Sequence, residues 1–355
     1  MNRHRLTAAL LVMGLLASAC TSSTTSATTS TAVTAGTDGA AVGTTTAPAT
    51  TTAPPVTTAD GGVTRPTTPP VITASAGLDQ AVVDHLSEQI IELIGVTEQV
   101  RGLPFLTQPN VAILTPEELA ARVRKDLEEE IDSDELAVDT AVLQLLGLLE
   151  PGVDLEPMLL DLYSEQVAGF YDGDTGELVI GGEAAELTPL TKSIVVHELI
   201  HALTDQHFLF NDDFQAMFDE ERYDEGAAFQ ALIEGDATYF QFVYIEQLTA
   251  AEQLALATEA VSQMEETSVL QSVPGWIQDD LAFPYNNGQV FVQSLVDAGG
   301  IAAVDKAYIE RPPSTEAVMH PTRFASGELI RQVEPISIAT ISCRSLTSYP
   351  SRLRR

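Results

Sequence analysis

The sequence predicts an α+β fold that is mostly helical, with a small β-sheet beside one central helix. Three observations predict it. Apolar residues recur at helical spacing through most of the chain beyond residue 76. The period changes at Gly169–Gly182, where Phe170-Tyr171-Asp172 and Leu178-Val179-Ile180 flank Gly173-Asp174-Thr175-Gly176 as the arms and turn of a hairpin. Within Pro189 to Phe208 the residues flanking His197, Glu198 and His201 are uncharged and mostly apolar, as suits a buried helix.

The chain opens with Arg3, His4 and Arg5, then the apolar Leu6 to Leu16 and an Ala17-Ser18-Ala19 cleavage site, so 1–19 reads as a signal peptide. Cys20 follows at once. This resembles a bacterial lipoprotein signal, in which the cysteine is acylated and becomes the N-terminus, although Ala17 stands where leucine is usual. The resemblance implies a protein lipid-anchored at Cys20 on the outer face of a bacterial cell membrane, or simply secreted if Cys20 is not acylated. Residues 20–75 are dominated by Thr, Ser, Ala, Pro and Gly and read as a disordered tether. Acylation of Cys20 would leave Cys343 unpartnered, so no internal disulfide is expected.

The 355 residues include 51 acidic and 17 basic side chains, for a net charge of −34. The charged residues before position 76 are only Arg3, Arg5, Arg65, Asp38 and Asp60, so 49 acids and 14 bases fall in the folded part. Such a field repels phosphate backbones and excludes nucleic acid as a partner.

The elements follow in order. Val82, Val83, Leu86, Ile90, Ile91, Leu93 and Ile94 make a helix-spaced stripe within 78–100, and Val111 to Leu114 suits a short strand. Thr115-Pro116-Glu117-Glu118 combines an N-cap, a proline at the first helical position and a capping-box glutamate. Helices are predicted over 117–131, 134–149 and 155–167, which completes an N-terminal helical part, 76–168. The hairpin opens a second part, 169–334, with helices over 189–208, 223–248, 250–265, 287–298 and 300–310. After Glu334 there is no acid, while Arg344, Arg352, Arg354 and Arg355 stand in a Ser-rich context, so 335–355 reads as a basic, disordered tail.

The chemistry lies in Ile194-Val195-Val196-His197-Glu198-Leu199-Ile200-His201-Ala202-Leu203, which contains H-E-x-x-H. Helical residues four apart lie about 40° apart in projection, so His197 and His201 point the same way. Two imidazoles so placed can bind one Zn²⁺ while Glu198 reaches the water that the metal activates. Two residues compete to be the third ligand. His207 has the H-E-x-x-H-x-x-G-x-x-H spacing, but Thr204 replaces the glycine, and a continuing helix would turn His207 about 240° from His201. Glu234, in Ala231-Leu232-Ile233-Glu234-Gly235-Asp236-Ala237, lies on the next long helix and is the stronger candidate.

The run VVHELIHALTDQHF, followed by ALIEGDA, resembles gluzincin-type metallopeptidases, in particular bacterial secreted and lipoprotein zincins that show HELTHALQDQHF and an EGDA segment. The similarity extends from GFYDGDTGELVI (169–180) to PPSTEAVMHP (312–321), about half the mature chain. It implies a zincin-like domain with zinc on His197, His201 and Glu234 and with Glu198 as the base. Many gluzincins use an aspartate four residues after the ligand glutamate to orient the first histidine. Thr238 holds that place here, so Asp236 or Asp205 is expected to serve instead.

A developing oxyanion also needs a donor beyond the metal, and His320, isolated and followed by Pro321, is the candidate, with Tyr171 and Tyr239 as others. The hairpin can supply an edge strand that aligns an extended peptide. The expectation is a secreted zinc metallopeptidase acting on a protein or peptide substrate. Its rivals are a zinc amidase acting on cell wall and a zincin-fold envelope adaptor without catalysis.

Overall fold

Period-two stretches of the sequence build a four-stranded sheet, and helices cover both its faces. The structure, a computed structural model, describes residues 68–327 apart from 165–167, 183 and 267, together with Pro66. The leader, Cys20, most of the expected tether and the basic tail lie outside the described residues.

The elements run β1 (Val71–Ala74), α1 (Gln80–Arg101), β2 (Asn110–Leu114), α2 (Pro116–Glu130), α3 (Ser133–Leu145), α4 (Leu155–Ser164), β3 (Gly169–Asp172) and β4 (Glu177–Gly181). Then come α5 (Pro189–Phe208), α6 (Phe210–Asp219), α7 (Tyr223–Gln247), α8 (Ala250–Glu266) and α9 (Ser268–Ser272). The chain continues with α10 (Gly275–Gly299), α11 (Ile301–Glu310), α12 (Thr315–Met319) and α13 (Pro321–Ser326). The molecule is therefore α+β and mostly helical, as the sequence predicts. None of the described helices is long and apolar enough to cross a membrane.

Strand order is β1-β2-β4-β3, with β1, β2 and β4 parallel and β3 antiparallel to β4 at one edge. The pleat sorts the side chains. Val111 and Ile113 of β2, with Leu178 and Ile180 of β4, face Leu86 and Ile90 of α1 and Val195, Val196 and Leu199 of α5. Ala112, Phe170 and Val179 face the other way, onto Leu119, Val123 and Leu127 of α2. A second core surrounds α7, where Phe210, Phe214, Phe229, Phe291 and Tyr308 pack together. Helix α7 belongs to both cores, through Ala237, Phe240 and Tyr244 on one side and Ala228 to Ile233 on the other.

Several expectations change. Residues 71–74 are not tether but strand β1, held by parallel pairing to β2. One sheet spans the boundary at 168/169, because β2 from one side of it pairs with β4 from the other. Helix α10 starts at Gly275 rather than 287 and runs through Pro284, and α6 forms where no helix was expected. The capping box at Thr115 forms as predicted: its hydroxyl accepts from Glu118 N, and the Glu118 carboxylate accepts from Thr115 N.

A proline inside a helix loses one hydrogen bond and disturbs the preceding turn. Helix α10 survives it because it packs on α7 with nothing but glycine between the backbones. A methyl group at Gly288 would overlap the Ala231 carbonyl oxygen, and one at Gly235 would overlap the Gly288 backbone. Gly288→Ala is expected to destabilise the fold by about 1–3 kcal/mol, because both helices must separate to admit it. A thermal melt checks this, and an unchanged midpoint would refute the close crossing.

Candidate metal centre

Helix α5 begins as its sequence dictates. The Thr188 hydroxyl accepts from Thr191 N at 3.1 Å, and Pro189 occupies the first turn. The helix ends at Leu209, a non-glycine residue at φ 48°, whose N–H still bonds Asp205 O at 2.7 Å. Every side chain from Ser193 to Thr204 is buried. That explains the apolar sequence: the helix lies beneath the sheet and α1 on one side and against α7 on another.

His197 and His201 leave this helix on one side, their ring centroids 4.8 Å apart and nearly perpendicular. Glu234 of α7 meets them. Its Oε2 lies 3.3 Å from His197 Nε2 and 3.3 Å from His201 Nε2. All three residues are buried and their ligand atoms lie within 4.8 Å of one another, so the group can hold a metal ion. Among the described residues this is the group that meets that description.

The electrostatics suit a cation. Burial pushes the His197 imidazolium down, which favours the neutral ring a metal requires. Burial alone would raise the Glu234 carboxyl, but the opposing causes, the charge of His201 first among them, win and lower it to about 2, so it is an anion. Glu198 goes the other way. Burial and the charge of Glu234 raise its carboxyl well above the usual range, against the Tyr171 N–H that favours the anion. His201 Nε2 and Glu198 Oε1 are buried and make no hydrogen bond, a costly arrangement that a bound ion and its water would relieve.

Glu198 is positioned by the edge of the sheet. Tyr171 N–H, on the open side of β3, donates to Glu198 Oε2 at 2.9 Å. The Tyr171 phenol donates to Asp205 Oδ2 at 2.9 Å, so the same residue ties β3 to α5 two turns further on. His197 is positioned from α7, by Gln241, whose Oε1 lies 3.1 Å from His197 Nδ1.

Several expected roles fall elsewhere. Asp236 does not orient His197: it lies two residues past Glu234, about 200° around the helix, and binds Arg101 and Tyr308. Asp205 serves Tyr171. His207 is no ligand, because its Nε2 lies 2.7 Å from Pro104 O, on the loop after α1. Thr204, in place of a glycine, keeps α5 helical and returns its hydroxyl to Ile200 O. His320 is exposed at the junction of α12 and α13, where its backbone closes one helix and opens the next, and it is not among the residues of the cluster. Tyr239 lies about 140° from Glu234 around α7 and packs edge-on to Phe240 at 5.0 Å.

Sequence reasoning missed two residues. Gln241 had a signal, since seven residues make nearly two whole turns and place it over Glu234 along α7. Tyr285, buried, stacks on His197 with ring centroids 6.3 Å apart. It comes from α10, before the point where that helix was expected to start, and nothing local marks it.

No family model, no curated protein and no solved structure matches this chain.

Proposed function

We propose that the chain is a zinc-dependent metallopeptidase of gluzincin type that hydrolyses peptide bonds in a protein or peptide substrate. One observation carries the reading: Glu234 closes on the H-E-x-x-H histidines at two equal distances of 3.3 Å. Ligand atoms held tetrahedrally at about 2.0–2.1 Å from zinc stand about 3.3 Å apart. Two neutral imidazoles and one carboxylate are a donor set that suits zinc and leaves a coordination position open.

Zinc, when bound, supplies a Lewis acid that polarises a carbonyl and lets water lose a proton near neutrality. The chain's own residues do the rest. Glu198 is held at Oε2 by Tyr171 N–H, which leaves Oε1 to accept a proton from water and deliver it to the leaving amine. A group whose carboxyl is raised by burial holds that proton readily between the two transfers. The open side of β3 can align an extended peptide through main-chain hydrogen bonds beside the same glutamate. The leader and Cys20 support an anchored enzyme outside the membrane, with substrate reaching it there.

Metal analysis of the full chain tests this, with His201→Ala and Glu234→Ala alongside. About one zinc per wild-type chain is expected, lost from both variants. A folded wild type that takes up no zinc would end this reading and leave the non-catalytic adaptor.

A further inference from the structure

His197 is oriented by a buried chain of hydrogen bonds that contains no carboxylate. Ser193 Oγ donates to Leu190 O at 2.7 Å. Gln241 Nε2 donates to Ser193 Oγ at 3.3 Å, and Gln241 Oε1 faces His197 Nδ1 at 3.1 Å. Leu190, Ser193, Gln241 and His197 are all buried.

The chain has a direction. A glutamine amide alone is ambiguous, since a half-turn about its last bond would present N–H₂ to the imidazole instead. Ser193 removes the ambiguity. Its one proton is engaged by the shorter bond to Leu190 O, so its oxygen can only accept. The amide must then turn its N–H₂ to Ser193 and its carbonyl to the ring. A carbonyl can only accept, so Nδ1 carries the imidazole proton and Nε2 is left with its lone pair facing Glu234 Oε2. Two lone pairs facing each other at 3.3 Å repel unless a cation lies between them. A carboxylate at position 241 would give the same tautomer but add a second buried negative charge beside that of Glu234. The amide supplies the acceptor without that charge.

We propose that Ser193 and Gln241 form one positioning unit that fixes His197 as its Nδ1–H tautomer, so that Ser193 sets metal affinity although its side chain bonds no ligand. This rests on the metal-site reading above. The experiment is Zn²⁺ affinity of the full chain, by competition with a chromophoric chelator, for wild type, Ser193→Ala, Gln241→Met and the double variant. ¹⁵N NMR of the His197 ring in each metal-free protein accompanies it.

Gln241→Met is expected to weaken binding by about 10- to 100-fold, the usual loss when a ligand's orienting partner is removed. Ser193→Ala is expected to weaken it by roughly 3- to 10-fold, the net worth of one hydrogen bond. In the Gln241→Met background Ser193→Ala should cost nothing more, because no amide remains to orient. The wild-type ring should be protonated at Nδ1, and Ser193→Ala should give a mixture of tautomers. Unchanged affinity in Ser193→Ala, or an equal loss in both backgrounds, would overturn the proposal. A wild type that binds no zinc would overturn the metal reading, and the ring spectrum would then decide: an Nε2–H tautomer refutes the positioning unit, an Nδ1–H tautomer lost in Ser193→Ala supports it. The same spectrum of Ser193→Ala, the mildest change, settles the matter if Gln241→Met does not fold.

Discussion

Glu198→Gln is expected to keep its metal and to lose hydrolysis by at least about 10²- to 10⁴-fold, the usual contribution of a positioned general base. The substitution is nearly isosteric. The new amide carbonyl can accept the Tyr171 N–H that Oε2 accepts now, so β3 and α5 keep their contact. What disappears is the basic oxygen, because an amide cannot take a proton from water. Glu198 is also not one of the three clustered ligands, which is why metal content should be untouched. Zinc content is measured beside digestion of casein and of peptidoglycan, since a protein substrate and a cell-wall amide would use the same base. Full activity on whichever substrate the wild type cleaves would refute the mechanism. Loss of metal together with activity would mean that Glu198 holds the ion and does not serve as the base.

Much of this site was legible in the sequence because helices repeat locally. Helix α5, Pro189–Phe208, has the bounds that the sequence predicts. His197, His201 and Glu234 follow from spacing and from their apolar setting. What needed the structure depends on residues far apart in the chain. The parallel pairing of β1 with β2, and of β2 with β4, has no local signature. Helix α6 begins after Leu209 at φ 48°, a conformation that the sequence would announce only with a glycine or asparagine.

The partner of His197 is an amide, Gln241, so a pattern that expects a carboxylate does not reveal it. Asp236 departs from the expected role for a plain physical reason. Its neighbour Glu234 faces the histidines, and a residue two further on must face nearly the opposite way. Asp236 therefore belongs to a different buried constellation, whose centre is Arg101.

Arg101→Met is expected to destabilise the fold by about 3–5 kcal/mol, the range for a buried charge that loses its partner. Arg101 is fully buried at the end of α1, where Gly102 at φ 75° turns the chain away. Its Nε donates to Asp236 Oδ2 at 3.0 Å and its Nη2 to Asp305 Oδ1 at 2.7 Å, while its guanidinium lies 5.1 Å from the centre of the Phe240 ring. Tyr308 adds its hydroxyl to Asp236 at 3.0 Å. One side chain thus joins α1, α7 and α11. Methionine would fill most of the volume, yet Asp236 would stay fully buried with only the tyrosine to hold it. Arg101→Lys should fall between, because a single ammonium cannot reach both carboxylates in the fork geometry of a guanidinium. Asp236 lies on the helix that carries Glu234, so the variants should also bind zinc more weakly even where they remain folded. Melting of the metal-free proteins, followed by zinc titration, reads both effects. A midpoint for Arg101→Met equal to that of wild type would show that the pair contributes nothing, and the coupling from α1 to the metal helix would be lost with it.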